Sequence, residues 1–147
     1  MPRRILFVCL GNICRSPAAE AIARARAAEA GLEAEFDSCG LGPWNLGAPP
    51  YAPMQRAAAR RGYDLSGLRA RMLAPEDYTR FDLLLALDGD IFSVVEGSAP
   101  ARATARRRLF LPPALGRDVP DPYYTRDFDG ALDLIEHGTA RLIASLA

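Results

Sequence analysis

The four residues Ile5-Leu6-Phe7-Val8 are apolar without a break. Successive side chains of a strand point to opposite faces, so this run predicts a strand covered on both faces, as in a parallel sheet between helix layers. The next twenty residues narrow the choice. The segment Cys9 to Ser16 holds a turn glycine, Ser16 can serve as a helix N-cap, and Pro17 suits the first helical position. Ala18 to Ala30 is rich in strong helix formers, and Gly31 is a natural stop. The first unit reads strand, loop, helix.

The rest of the chain repeats the alternation. Leu32, Ala34 and Phe36 alternate with Glu33, Glu35 and Asp37, which predicts a strand with one wetter face at a sheet edge. Gly40 to Pro53 carries three glycines and four prolines, so an irregular loop is expected there, with Trp44 and Tyr51 as its large side chains. Large rings on a surface loop suggest contact with something. Met54 to Arg61 reads as a helix closed by Gly62, and Pro75 to Tyr78 as the start of a short one. Leu83 to Leu87 is a second buried strand, followed by a polar turn and a helix to about Glu96; Leu109-Phe110-Leu111 reads as a third. Phe128, Leu132, Ile135, Thr139, Leu142, Ile143 and Leu146 recur at intervals of three and four, the stripe of an amphipathic helix docked on the sheet. The expected fold is α/β: a single domain over residues 1–147, with a mostly parallel four-stranded sheet and helices on both faces.

Composition excludes several functions. Lys+Arg and Asp+Glu both number 18, so there is no general pull toward nucleic acid or an anionic membrane, and an anion site has to be local. No apolar stretch approaches the about 20 residues of a membrane span. Arg106-Arg107-Arg108 lacks interleaved aromatics and reads as a solvated face or a strand entry. The three cysteines, Cys9, Cys14 and Cys39, are an odd number, and Met1-Pro2-Arg3-Arg4 leads into only a short apolar run rather than a secretion signal. Free thiols in a reducing cytoplasm are expected. With His137 as the sole histidine, the spacings do not suit a metal site.

In open parallel sheets ligands bind beyond the carboxyl ends of the strands, which directs attention to the loop after the first one. It reads Cys9-Leu10-Gly11-Asn12-Ile13-Cys14-Arg15-Ser16. A loop curling at a helix start aims its N–H groups inward and adds the positive end of the helix dipole, so residues Leu10 to Ser16 form a phosphate cradle. Gly11 and Asn12 best tolerate the left-handed backbone that such a curl needs. The same field favours thiolate at Cys9, helped by Arg15 and the Ser16 hydroxyl. Arg15 offers a planar fork that can grip two phosphate oxygens and follow their charge in the transition state. The spacing alone is weak, since a cysteine followed six positions later by arginine occurs by chance in about one such chain in ten. Its specificity comes from the strand, glycine, cap and proline around it. A metal-free reaction also needs a proton for the leaving group. Asp118 and Asp121 both qualify, although an Asp-Pro pair such as Asp121-Pro122 can equally just open a turn.

The string from Val8 to Pro17 resembles the signature of the low-molecular-weight protein tyrosine phosphatases, and Asp121-Pro122-Tyr123-Tyr124 resembles the acid-bearing loop of that family. Glu20, Asp37-Ser38 and Pro49-Pro50 also fall at matching places, and length and element order agree throughout. The resemblance implies Cys9 as nucleophile, Arg15 as phosphate ligand, Ser16 as the hydroxyl assisting the thiolate and Asp121 as general acid, without a cofactor. Trp44, Tyr123 and Tyr124 are expected to wall the substrate ring, although Trp44 can equally be half-buried packing. Phosphotyrosine proteins are the expected partners, with a cognate tyrosine kinase in bacteria. The family often carries a histidine before its Ala-Arg pair that supports the loop asparagine. Ser66 to Arg71 offers none here; Asn12 and Ser38 remain, so the support of the loop is expected to be looser or rebuilt. Cys39-Gly40-Leu41 and Leu87-Asp88-Gly89-Asp90 also depart from the family's pattern.

Two rival readings remain at this level. A thiol arsenate reductase of the same fold passes a disulfide to downstream cysteines, and after Cys39 this chain has none. A non-catalytic phosphate-binding or redox-sensing protein would use Cys9 and Cys14 as a reversible pair, unless Cys14 is merely a small buried side chain.

Overall fold

A computed structural model describes residues 3–147; Met1 and Pro2, part of the segment that does not read as a secretion signal, lie outside them. Four strands form one parallel sheet in the order β2-β1-β3-β4: β1 is Arg3–Cys9, β2 Ala34–Gly40, β3 Leu83–Ala86 and β4 Arg106–Leu109. The helices are α1 (Arg15–Glu29), α2 (Ala52–Ala59), α3 (Asp77–Arg80), α4 (Gly89–Gly97), α5 (Pro122–Thr125) and α6 (Phe128–Leu146), with one 3₁₀ turn at Pro113–Leu115.

The uninterrupted apolar run of β1 is explained by its place between two layers. Ile5 and Phe7 face α1, α2 and α6, where they meet Ile22, Ala57, Leu132 and Ile135. Leu6 and Val8 face the α3–α4 layer and pack with Tyr78, Leu84, Ile91 and Val95. Phe7 stacks on Phe36 and meets Phe110 edge to face, with centroids 6.1 and 5.7 Å apart. Truncating so central a ring costs about 3–5 kcal/mol.

Several boundaries differ from the sequence expectation. Helix α1 begins at Arg15, not at Ser16: the Ser16 hydroxyl is turned toward Cys9, and no side chain among the described residues caps the helix. Pro17 then sits inside the first turn, where a missing N–H costs nothing. Gly31 does end this unit, at φ 68°. Strand β2 starts at Ala34 and runs on to Gly40, which pairs with Cys9. It is an edge strand, as its wetter face required. The last strand is Arg106–Leu109, earlier than Leu109-Phe110-Leu111; the three arginines are the strand itself rather than a flank of one. This is the other edge, where backbone pairing on one side suffices and exposed charges discourage a second partner. Phe110 and Leu111 follow it into the core. Helix α2 takes in Ala52 and Pro53, shortening the proline-rich loop, and α6 matches its predicted stripe.

The carboxyl ends of β1, β2, β3 and β4 all open at one edge of the sheet. The chain crosses from β2 to β3 over β1, so β1 and β3 flank the switch in strand order, and the loop after β1 lies at that crevice.

Candidate active site

The loop after β1 curls as its composition demands. Of its residues Asn12 alone takes the left-handed conformation (φ 57°); Gly11 does not need it. The curl brings the Asn12 N–H to within 3.3 Å of Cys9 Sγ. The uncapped start of α1 leaves its first-turn N–H groups for an anion rather than for a side chain.

Behind the loop lies a continuous buried polar network. The Asn12 side-chain amide donates to Ser16 Oγ at 2.8 Å and to Ser38 Oγ at 3.0 Å, while Ser38 donates to Glu20 Oε1 at 2.6 Å. Ser16 Oγ, which accepts from Asn12, lies 2.8 Å from Cys9 Sγ and 3.4 Å from Cys39 O, the two groups its own proton can reach. Asn12 Oδ1 accepts from the backbone N–H of Arg71 at 3.0 Å. The support expected from a histidine is therefore rebuilt from main chain. Arg71 is itself pinned, its guanidinium paired with Asp37 and Asp77 at 3.0 Å each. Burial pushes Glu20 above its ordinary value, against the opposing pull of Ser38 and Arg24.

Arg15 is buried and held at one end. Its Nη1 donates to Asp88 Oδ2 at 2.5 Å and to Val119 O at 2.9 Å; its Nη2 faces Asp121 Oδ2 at 3.4 Å. Burial alone would lower this guanidinium, but Cys9, Asp88 and Asp121 outweigh it and raise it. Asp88 and Asp121 share a construction. One oxygen of each caps a helix, accepting from Ile91 N or Tyr123 N, and the other points at Arg15. For Asp121 the turn-opening reading is realised, and its second oxygen is left facing Arg15. Asp118 is used elsewhere: it accepts from Gly89 N at 2.8 Å and does not line the pocket.

The pocket above Cys9 has a volume of about 330 Å³ and is lined by the loop, by Asp121, and by Trp44, Asn45, Tyr123 and Tyr124. Of the residues expected in the phosphate cradle, Leu10, Gly11, Ile13, Cys14 and Arg15 line it, while Asn12 and Ser16 stand behind it in the network. The three expected wall residues all reach the mouth. Trp44 is 68% exposed, which decides against half-buried packing. Its ring folds back on Gly42, where a Cβ would collide with it. Cys14 is buried, and its thiol is pushed up to about 12 by that burial, with Asp121 and Cys9 adding to it.

Sequence reasoning missed the roles of Asp88, Asn45 and the Arg71 main chain. For Asp88 a signal existed, since an acidic residue at the carboxyl end of a buried strand faces the ligand crevice. Among the described residues no helix is long and apolar enough to cross a membrane.

Comparison with known proteins gives a consistent result. The sequence profile of the low molecular weight phosphotyrosine protein phosphatases matches residues 4–147. The low molecular weight protein-tyrosine-phosphatase YfkJ of Bacillus subtilis is 41% identical, across 97% of this chain and 94% of its own. The low molecular weight protein-tyrosine-phosphatase of Streptomyces coelicolor is 38% identical, across 99% and 94%. The crystal structure of YfkJ superposes with a TM-score of 0.91 at 38% identity, covering 99% of this chain and 94% of that one.

Proposed function

This chain belongs to the low molecular weight phosphotyrosine protein phosphatases, and from that premise we propose that it hydrolyses phosphotyrosine in proteins through a phosphocysteine on Cys9. The Cys9 thiolate attacks phosphorus in line with the ester oxygen. The P–O bond to the tyrosine breaks, and Asp121 gives its proton to the departing phenolate. Water then attacks the phosphocysteine, Asp121 takes up a proton from it, the P–S bond breaks and inorganic phosphate leaves. Arg15 and the loop N–H groups hold the three equatorial oxygens in both steps, where charge spreads.

One observation carries this reading: Cys9, Arg15 and Asp121 line a single pocket with aromatic rings at its mouth. Residues separated by more than a hundred positions line one pocket, and Arg15 is bonded to Asp88 and the Val119 carbonyl, so that its fork is oriented before substrate arrives. The test is rapid denaturation in alkaline detergent of the Asp121→Asn enzyme during turnover of a phosphotyrosine peptide. A phosphoryl group stable in alkali and absent from Cys9→Ser is expected; label on any other residue would overturn the mechanism. Arsenate and thioredoxin, added to a p-nitrophenyl phosphate assay, test the arsenate reductase alternative.

Reversible oxidation is a second property that we propose. Peroxide converts Cys9 to a sulfenic acid, and the Cys14 thiol displaces water from it to give a disulfide. Both cysteines belong to the same loop and line the same pocket. Recovery of activity with dithiothreitol after peroxide, lost in Cys14→Ser, is the expected result; equal recovery in both removes Cys14.

A further inference from the structure

Asp121 enters the site from a segment with little packing of its own. Upstream, Val119 is anchored to the sheet: its N–H donates to Leu87 O at 2.9 Å and its carbonyl accepts from Arg15. Downstream, α5 is one turn of four residues, in which Pro122 is buried and Tyr123, Tyr124 and Thr125 are exposed. A single turn is not stable by its own hydrogen bonds, so something outside it has to fix its orientation.

Arg126 ends that turn in the left-handed conformation at φ 63°, which costs energy for any side chain but glycine. Its surroundings account for the strain. The guanidinium lies over two rings, 5.4 Å from the centroid of Tyr51 and 5.2 Å from that of Phe128, within range of a cation–π contact. Its Nη1 donates to the Tyr51 hydroxyl at 3.0 Å. The Tyr51 ring also stands 5.2 Å from the Tyr123 ring of α5. Tyr51 is tied to the other half of the site too, since its backbone N–H donates to Ile13 O at 2.8 Å, in the phosphate loop.

We propose that Tyr51 and Arg126 are positioning residues that set the placement of Asp121 over the nucleophile loop. Tyr51 touches the phosphate loop with its main chain and the acid helix with its ring, and Arg126 locks the ring to the helix end. The inference rests on Asp121 acting as the general acid, as proposed above. If the clamp loosens, the floor keeps its shape while the acid drifts. Proton delivery then suffers and phosphate binding does not.

The test compares Arg126→Ala and Tyr51→Ala with the parent enzyme on two esters: phenyl phosphate, whose leaving group needs a proton, and 2,4-dinitrophenyl phosphate, whose leaving group does not. Hydrogen exchange at the amides of residues 123–127 is measured alongside, because it needs no activity. Expected is a loss of kcat/KM, which reports the step that releases the leaving group, of about tenfold on phenyl phosphate and of less than about twofold on the dinitrophenyl ester, with unchanged inhibition by inorganic phosphate and faster exchange across α5. Arg126→Lys, which keeps a cation over the rings, restores most of the rate. Tyr51→Phe, which keeps the ring but not the hydroxyl that accepts from Arg126, sits between parent and Tyr51→Ala. The double variant is no worse than either single one, because each removes the same device. Equal losses on both esters, or unchanged exchange in Arg126→Ala, would overturn the clamp. Should Asp121→Asn itself show no dependence on the leaving group, the acid assignment fails, and the exchange data still decide whether these residues tie the two loops together.

Discussion

At the floor of the site Asn12, Arg15, Ser16 and Ser38 are buried and every one is hydrogen-bonded, whereas at its mouth Trp44, Tyr123 and Tyr124 are exposed and meet their neighbours mainly through rings. The floor is held by directional bonds in a dry interior, where an unpaired group costs about 1–3 kcal/mol, so its geometry is all or nothing. The mouth is held by weaker contacts of about 0.5–1.5 kcal/mol per ring pair, which tolerate adjustment. In the proposed function the chemistry falls to the rigid part and substrate choice to the adjustable part.

Substitutions in the two regions should therefore differ in kind. The largest loss is expected at Arg15→Lys: an ammonium cannot bond Asp88, Val119 and two phosphate oxygens together, so turnover should fall by about three orders of magnitude or more, with weakened vanadate binding by titration. Retention of a tenth of the activity would show that the floor is not rigid. Next comes the acid, which joins the two regions. Asp121→Asn should slow phenyl phosphate hydrolysis about 10²–10⁴-fold and matter much less for an activated ester, while Asp118→Asn should leave steady-state rates nearly unchanged. The reverse pattern would move the acid to Asp118.

Smaller effects sharpen the contrast. Trp44→Ala and Tyr124→Ala should raise KM for aryl phosphates a few-fold, with little effect on kcat, and narrow the preference for phosphotyrosine over phosphoserine peptides. Comparable rates of the parent enzyme on both peptide types would refute the aromatic slot. The smallest effect is one of pH on stability. Burial raises Glu20, so its contribution to folding is full below the unfolded carboxyl value and is lost as pH rises through the folded one. Urea denaturation of the parent against Glu20→Gln should show the parent losing ground as pH increases from about 4 to 7. A parent that gains ground instead would mean that Ser38 and Arg24 outweigh burial.

Much of the floor was legible in the chain because its logic is local. The apolar run of β1, the left-handed Asn12, the helix after the loop (though not its first residue) and the Cys9 to Arg15 spacing are decided within about a dozen residues, by sterics, backbone hydrogen bonding and periodicity. So was the stripe of α6, whose seven spaced positions all turn inward or pack against the core. Sequence similarity extended this to Asp121, which local reasoning left level with Asp118. The edge strand β4 was misplaced because apolarity marks only strands covered on both faces, and arginines pair through their backbone as well as any residue.

What only the tertiary structure decided are the contacts that hold these pieces at their distances. Asp88 meets Arg15 across 73 positions, the Arg71 main chain meets Asn12 across 59, and Arg126 meets Tyr51 across 75. Arg71 and Arg126 read in the chain as ordinary turn or surface residues, and Asp88 is marked only by its place after a buried strand, because a hydrogen bond or a ring contact leaves no periodicity behind it. The sequence by itself determined the strand and the loop, and singled out Cys9 and Arg15 for the roles proposed here. Sheet order and helix packing decided which distant groups complete them, since those partners are selected by position in space.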